Sequence, residues 1–433
     1  MYNLAEDHHS KHYTDIRLNY HITNHDSHLG DQLYIELPDN LSFNDEVFIG
    51  IDFIHQDNNP SLKIIDNNQF GSINFLYTDN SPVKSRSLFP CMDTPLVKSS
   101  YRAKLLVPNG YKVLFSGVLE KSKKVSMGNI LKHKFYYSQA SPIPTHMVGL
   151  LVAQIEQEEM NGNIVYYQLE NQSKIKNLKT VELFNNIDTY LKEIENLFKN
   201  LKQSFKPVSF VIMPRMFHFK SYSFKNLIFL NVNIFDDIDH FVLNVSNEIV
   251  ESSISSIINH SCWRHAALSS GLSKFVERLL IRSIEGKDIS ELHKNLGEIE
   301  LYDTIEEYQN DHRTSMYPEL RNLQPKEYVS DVSKEKGFTF FNFLNQGIGK
   351  ENLIDIIEIM ATYFNKEGMN YSDFGMNYID RVRKLLRFRH HEVLNQIDWD
   401  LWLFGQGEPP YNMLYGKIKI IIKIHPLLKK YQI

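Results

Sequence analysis

The chain has 433 residues, enough for two or three domains with cores of their own, and its 42% hydrophobic and 23% charged residues exclude wholesale disorder. A formal net charge of −5, with a pI near 6.4, argues against nucleic acid or an anionic membrane as the main partner. Two cysteines, Cys91 and Cys262, are too few for a disulfide framework and suit a reducing compartment. No apolar run reaches the roughly 18 residues of a membrane helix. The N-terminus MYNLAEDHHSKHYTD has neither the basic flank nor the apolar core of a secretory signal, and it is too acidic for a mitochondrial presequence. The expectation is an intracellular, cytoplasmic protein without a transmembrane segment, with an organellar or cytoskeletal assembly left open.

In chain order, short alternating or apolar runs separated by Asn, Asp, Gly and Pro turns predict strands at Gln32–Leu37, Val47–Phe53, Ser72–Tyr77, Tyr101–Leu106, Tyr111–Ser116 and His133–Tyr137. The run His146–Ile155 reads as one buried strand. The periodicity then changes. Leu183, Ile187, Leu191, Ile194 and Leu197 form a helical stripe within Val181–Gln203. Buried strands are predicted at Val208–Met213 and Leu227–Val232. Helices are predicted at Asp237–Ile258, Leu268–Arg282, Gly337–Asn345, Lys350–Asn365 and Tyr371–Arg387. Gln406-Gly-Glu-Pro-Pro410 is a helix stop and extended linker, and the alternation at Lys417–Ile424 suits an edge strand or docking tail. Strands first and mainly helices later predict a multidomain α+β protein.

Five landmarks occur in order between about residues 45 and 410. They are Arg86-Ser-Leu-Phe-Pro-Cys-Met-Asp-Thr-Pro95, Pro142-Ile-Pro144 with Val148–Ala153, Trp263-x-His265-x5-Gly271-x5-Glu277-Arg278, Glu335-Lys-Gly-Phe338, and Val393-Leu-Asn-Gln-Ile-Asp-Trp399-x2-Trp402. Together they resemble the leukotriene A(4) hydrolase branch of the zinc aminopeptidases, the gluzincins. The resemblance implies a saddle-like β domain over 1–160, truncated at its start, and a degenerate thermolysin-like peptidase-type domain over 161–408. A linker and tail over 409–433 would stand where the family has a helical C-terminal domain, which would be largely absent.

The family's catalytic positions are where this chain departs. Its H-E-x-x-H helix places two imidazoles at i and i+4 with a general base between them. Here those positions carry Asn247, Glu248 and Glu251, and the third-ligand position, 19 residues after Glu251, carries Ser270. The motif that recognises a peptide N-terminus aligns with Ser223-Phe-Lys225-Asn226, so Lys225 replaces a glutamate. Lys334 stands where the oxyanion tyrosine is expected. Zinc lowers the pKa of its water to about 7, and an amide, a carboxylate and a hydroxyl substitute poorly for two imidazoles and a carboxylate. The resemblance therefore implies no catalytic residue and no bound cofactor or metal. The chain is expected to be a pseudoenzyme that binds protein partners in a larger assembly, without nucleic acid. A peptide held in the vestigial cleft through Lys225 and Lys334 is a further reading. The alternative is a zinc metallo-aminopeptidase cleaving N-terminal residues from peptides.

Plainer readings compete at each position. Glu248 and Glu251 suit a solvated helix face, or an internal ion pair with Lys225 or Lys334. Asn247 and Glu251 could offer oxygens to a hard cation, though two or three ligands are thin support. His391-Glu392 is a near miss for the zinc motif, far from the aligned site. His8, His9 and His12 suit a solvated terminus, and His260 and His265 suit packing or capping. Ser269-Ser270-Gly271 reads as a turn or cleft wall, with no partner for a nucleophilic serine. Arg381, Arg383, Lys384, Arg387 and Arg389 form a basic helical cluster, either solvated or docking an acidic partner.

Overall fold

A computed structural model describes residues 16–23, 31–42, 45–55, 58–65, 75–160, 164–169, 178–201, 208–258, 260, 262–309, 311–321, 323, 327–365 and 397–410. The predicted helix Tyr371–Arg387, the basic cluster from Arg381 to Arg389, His391-Glu392, the alternating run Lys417–Ile424 and the N-terminal histidines lie outside the described residues. The chain divides into two units, Met1–Ile54 and His55–Ile433. In the first, strands β1 (Tyr20–Thr23) and β2 (Gln32–Ile35) form an antiparallel pair, with His21 stacked on Tyr34 at 4.8 Å. The strand expected at Val47–Phe53 does not form. Its residues are exposed and join no strand ladder among the described residues, and a strand exists only through its pairing.

The second unit begins with two antiparallel sheets. One has the order β3 (Leu62–Ile65), β4 (Phe75–Thr78), β9 (Leu150–Ala153), β6 (Lys112–Phe115). The other places β8 (Ile130–Pro144) between β5 (Lys98–Pro108) and β7 (Val118–Met127). A mixed five-stranded sheet follows, in the order β10 (Ile155–Met160), β11 (Ile164–Leu169), β12 (Val208–Met213), β14 (Leu227–Asn231), β13 (Ser221–Phe224). Its central pairs, β11 with β12 and β12 with β14, are parallel. Helices α1 (Leu178–Leu197), α2 (Ile238–Val250), α3 (Ala266–Ile284), α4 (Lys287–Glu307), α5 (Gly337–Ile348) and α6 (Lys350–Asn365) complete it with a short helix at Trp399–Phe404. Strands first and helices after them give a multidomain α+β architecture.

The mixed sheet shows why two of its strands read as unbroken apolar runs. Phe210, Ile212, Ile228 and Leu230 face the helical core with Ile187, Ile194, Phe241 and Leu272. The alternate residues Val211, Met213, Leu227 and Phe229 face Phe75, Tyr77, Leu151 and Phe217. A sheet covered on both faces needs apolar residues at every position. The run His146–Ile155, expected as one strand, is divided. A 3-10 turn at Thr145–Met147 leads to β9, and β10 starts at Ile155 in a different sheet. Gly149 sits at the break, where a Cβ would lie 2.4 Å from the Phe224 ring.

The landmark residues have structural duties. The Arg86 Nε and backbone N–H both donate to Asp93 Oδ2, at 3.1 and 3.0 Å, and Thr145 Oγ1 donates to Asp93 Oδ1. Arg278 pairs with Glu335 at 2.8 Å and lies over the Phe338 ring at 4.0 Å. Gly297 makes room for that pair, since a Cβ there would meet Arg278 Nη2 at 2.2 Å. Lys336, 0% exposed, donates to the carbonyls of Thr314, Gly405 and Gly407 at 2.8–2.9 Å, fixing the chain after the last described helix. Asp398 caps that helix through the Leu401 N–H, and Trp402 packs on Phe340. Among the described residues no helix is long and apolar enough to cross a membrane.

Candidate functional site

Helix α2 presents Asn247 and Glu248 and continues without a break into a π-helical turn, Glu251–Ser255. Such a turn widens a helix locally and is common at functional sites. A second one, Val332–Lys336, runs into α5 and carries Lys334. Ser270 lies inside α3, so Ser269-Ser270-Gly271 is helix rather than turn. Gly271 is there because α3 packs on the start of α5, just after the second π turn, and a Cβ on it would lie 2.3 Å from the Gly337 backbone.

Glu248 is 6% exposed and points at β13. Ser221 Oγ donates to its Oε1 at 2.7 Å, Asn247 Nδ2 does so at 3.3 Å, and Ser223 adds a further hydroxyl. Burial outweighs these donors and pushes its carboxyl from 4.5 up to about 7. Half-buried Glu251 is raised too. Burial is the main cause, opposed by the hydroxyls of Ser255 and Ser273 and, through space, by Lys334 and Lys274. Neither carboxylate is on a solvated face.

Lys225 and Asn226 form the two-residue turn between β13 and β14, Asn226 at φ 62°. The turn is buried instead of displayed. Lys225 N–H donates to Met147 O, Asn226 N–H to Ser252 Oγ at 3.3 Å, and Ser252 Oγ to Phe224 O. Lys225 Nζ donates to Ser256 Oγ at 3.0 Å, and burial, helped by Lys98, brings its amine down to about 7. Lys334, by contrast, pairs with Asp331 at 3.4 Å near the surface. The structure thus brings Asn247, Glu248, Glu251 and Lys225 against β13 and the first π turn, and sets Lys334 at a distance where it acts on Glu251 only through space.

Sequence reasoning missed an adjoining cluster. Asp79, 2% exposed, accepts from Ser81 and from Lys84 Nζ at 2.5 Å. Burial pushes its carboxyl up, but these donors outweigh it and hold it below the usual range. His218 Nε2 lies 3.6 Å from Asp79, and His218 Nδ1 is hydrogen-bonded to Tyr77 at 2.8 Å. Burial pushes the Tyr222 phenol far up, Asp79 and Glu248 push it the same way, and its hydrogen bond with Ser81 opposes them. No spacing rule marks these residues in advance. His260 and His265 are packing residues, as expected. His260 bonds Ser269 and lies 4.9 Å from the Trp263 ring, and His265 stacks on Tyr317. Among the described residues, no group of three His, Cys, Asp or Glu side chains is placed to hold a metal.

Comparison with known proteins gives these arrangements a context. Residues 3–147 match the Peptidase M1 N-terminal domain. Leucine aminopeptidase 2 of Emericella nidulans is 24% identical over 337 residues, covering 78% of this chain and 53% of the relative. Leucine aminopeptidase 2 of Coccidioides immitis is 25% identical over 340 residues, with the same coverages. Native yeast LTA4 hydrolase superposes with a TM-score of 0.77 at 20% identity, over 96% of this chain and 63% of that one. The M1 zinc metallopeptidase of Deinococcus radiodurans gives 0.55 at 14% identity, over 79% and 72%. The structural likenesses establish the fold. The chain spans about half the length of the curated relatives it matches.

Proposed function

We propose that this chain, which belongs to the family of M1 aminopeptidases and leukotriene A4 hydrolases, is a non-catalytic member serving as a structural or protein-binding component of a larger assembly. The observation that carries the reading is the surroundings of Glu248 and Glu251. At the three positions that the resemblance assigns to zinc ligands, the chain offers the amide of Asn247, the carboxylate of Glu251 and the hydroxyl of Ser270. Ser255 and Ser273 hydroxyls already bond the Glu251 carboxylate. Zinc takes imidazole, thiolate or carboxylate ligands in tetrahedral geometry, and this donor set does not fit it.

Two further features support the reading. Lys225, at the position of the family's amine-recognising glutamate, is a buried anchor for a hairpin turn, and its charge would repel a substrate ammonium. The landmarks that persist, Arg86 with Asp93, Arg278 with Glu335 and Lys336 with its three carbonyls, all hold the fold. Under this reading the domain plan is the one expected from sequence, with 1–160, 161–408 and 409–433 as its parts. Isolation of the protein from its source with a stoichiometric partner supports a binding role, and a chain that is monomeric and alone counts against it.

One observation favours the alternative of a zinc aminopeptidase. Glu248 keeps the general-base position, and its carboxyl near 7 is where a base should be poised. That reading requires chelator-sensitive hydrolysis of an aminoacyl anilide that Glu248→Gln abolishes.

A further inference from the structure

The hairpin of β7 and β8 has a composition that the remainder of its sheet does not explain. Met127 pairs with Ile130 across Gly128-Asn129, with Gly128 at φ 61°. The side chains at this tip are apolar and exposed: Met127 is 43% exposed, Ile130 62% and Leu131 42%. Behind the tip, Phe135 and Tyr137 of β8 are buried with Val107 of β5, so the alternate residues Lys132, Lys134 and Tyr136 face outward. The register sets Lys123 beside Lys134, places Lys104 and Lys121 on either side of Tyr136, and puts Arg102 beside Ser138. Lys121 and Lys134 hold their ammonium groups over the Tyr136 ring, at 4.8 and 5.9 Å. The three strands contain a single acidic residue, Glu120, which sits at a bulge. None of the six outward cations pairs with a carboxylate among the described residues.

Lysines on an edge strand guard against edge-to-edge aggregation. That accounts for β7, but not for Lys132 and Lys134 on the central strand, nor for an uncharged apolar tip. A polynucleotide would want an open aromatic face to stack on, whereas Lys121 and Lys134 cover the Tyr136 ring. An apolar tip backed by a cationic face matches the layering of an anionic bilayer, with hydrocarbon beyond a plane of negative headgroups. Stable attachment takes two signals of this kind together.

We propose that this hairpin docks the protein on an anionic membrane surface, with Met127, Ile130 and Leu131 in the interface and the lysine face on the lipid headgroups. Docking is independent of whether the Glu248 site is catalytic. Flotation of the full chain with phosphatidylcholine vesicles, with and without phosphatidylserine, tests it. Binding is expected only with the anionic lipid, and it should weaken as salt rises. Lys123→Gln, Lys132→Gln and Lys134→Gln together should weaken it about a hundredfold, at about fivefold or 1 kcal/mol per cation. Met127→Ser with Ile130→Ser should release the protein without altering its circular dichroism, and Ile130→Trp should gain a blue-shifted emission on anionic vesicles. No binding to anionic vesicles, or binding that both variants retain, overturns the proposal. So does binding of oligouridylate or polyglutamate, lost in the lysine variant, where vesicles are not bound.

Discussion

Glu248→Gln separates a desolvated, non-catalytic carboxyl from a working general base. The carboxyl is 6% exposed, and burial raises it from 4.5 to about 7 against the opposing donors Ser223, Ser221 and Asn247. Below about pH 4.5 both the native and the unfolded chain hold the proton, and the residue is neutral in either state. Between pH 4.5 and 7 only the native chain holds it, so stability falls as pH rises, by about 1.4 kcal/mol per pH unit. Above pH 7 the accumulated cost is about 3 kcal/mol. Glutamine has the same shape, never ionises, and keeps a carbonyl oxygen to accept from Ser221. Urea denaturation should therefore show the variant more stable than wild type by about 3 kcal/mol at pH 8 and equal to it near pH 4.5. A variant that is no more stable at pH 8, or equally stabilised at both pH values, refutes the account of Glu248 as a desolvated, metal-free carboxyl.

Lys336→Met strands three carbonyls that a buried ammonium now satisfies. The loss should be about 3 kcal/mol or more, with a shift in Trp402 fluorescence as the chain at Gly405–Gly407 loosens. Lys225 has its amine lowered from 10.5 to about 7 by burial first and Lys98 second, so wild-type stability should rise with pH between those values. Lys225→Met removes that slope. Near pH 6.5 it should gain about 3 kcal/mol, being about 5 from the relieved ionisation less about 2 for the lost bond to Ser256. Gly271→Ala forces a methyl against the Gly337 backbone and should cost about 2 kcal/mol or more in thermal or urea unfolding. Gly50→Ala, with nothing within 4 Å, should cost far less.

Elements whose buried residues are apolar and regularly spaced could be read directly. Val208–Met213 and Leu227–Asn231 are covered on both faces, and α1, α3, α5 and α6 follow apolar stripes, so their positions emerged close to the observed ones. Helix α4 escaped notice because its buried face begins with Ser290, His293 and Gly297 before reaching Leu301 and Ile305. Strand β13, Ser-Tyr-Ser-Phe, is too short and polar to declare itself, although it positions the Glu248 contacts. The length of β7 and β8 was hidden by their lysines, and the chain's net charge of −5 concealed a local face with six cations. At the candidate site, the resemblance located Asn247, Glu248, Glu251, Ser270, Lys225 and Lys334. It carried no information on the serines that serve them, because hydroxyl partners follow from packing of separate elements and not from spacing along one. Arginine and lysine landmarks were legible as motifs. Only the contacts of Arg278 and Lys336 show that their work is structural.

The most direct test is metal content and peptidase activity measured on one preparation of the full chain, without added metal and after incubation with zinc. Zinc is expected far below one per chain, with no chelator-sensitive hydrolysis of leucyl anilide and with Glu248→Gln indistinguishable from wild type in both assays. One zinc per chain, together with hydrolysis that Glu248→Gln abolishes, would contradict that expectation.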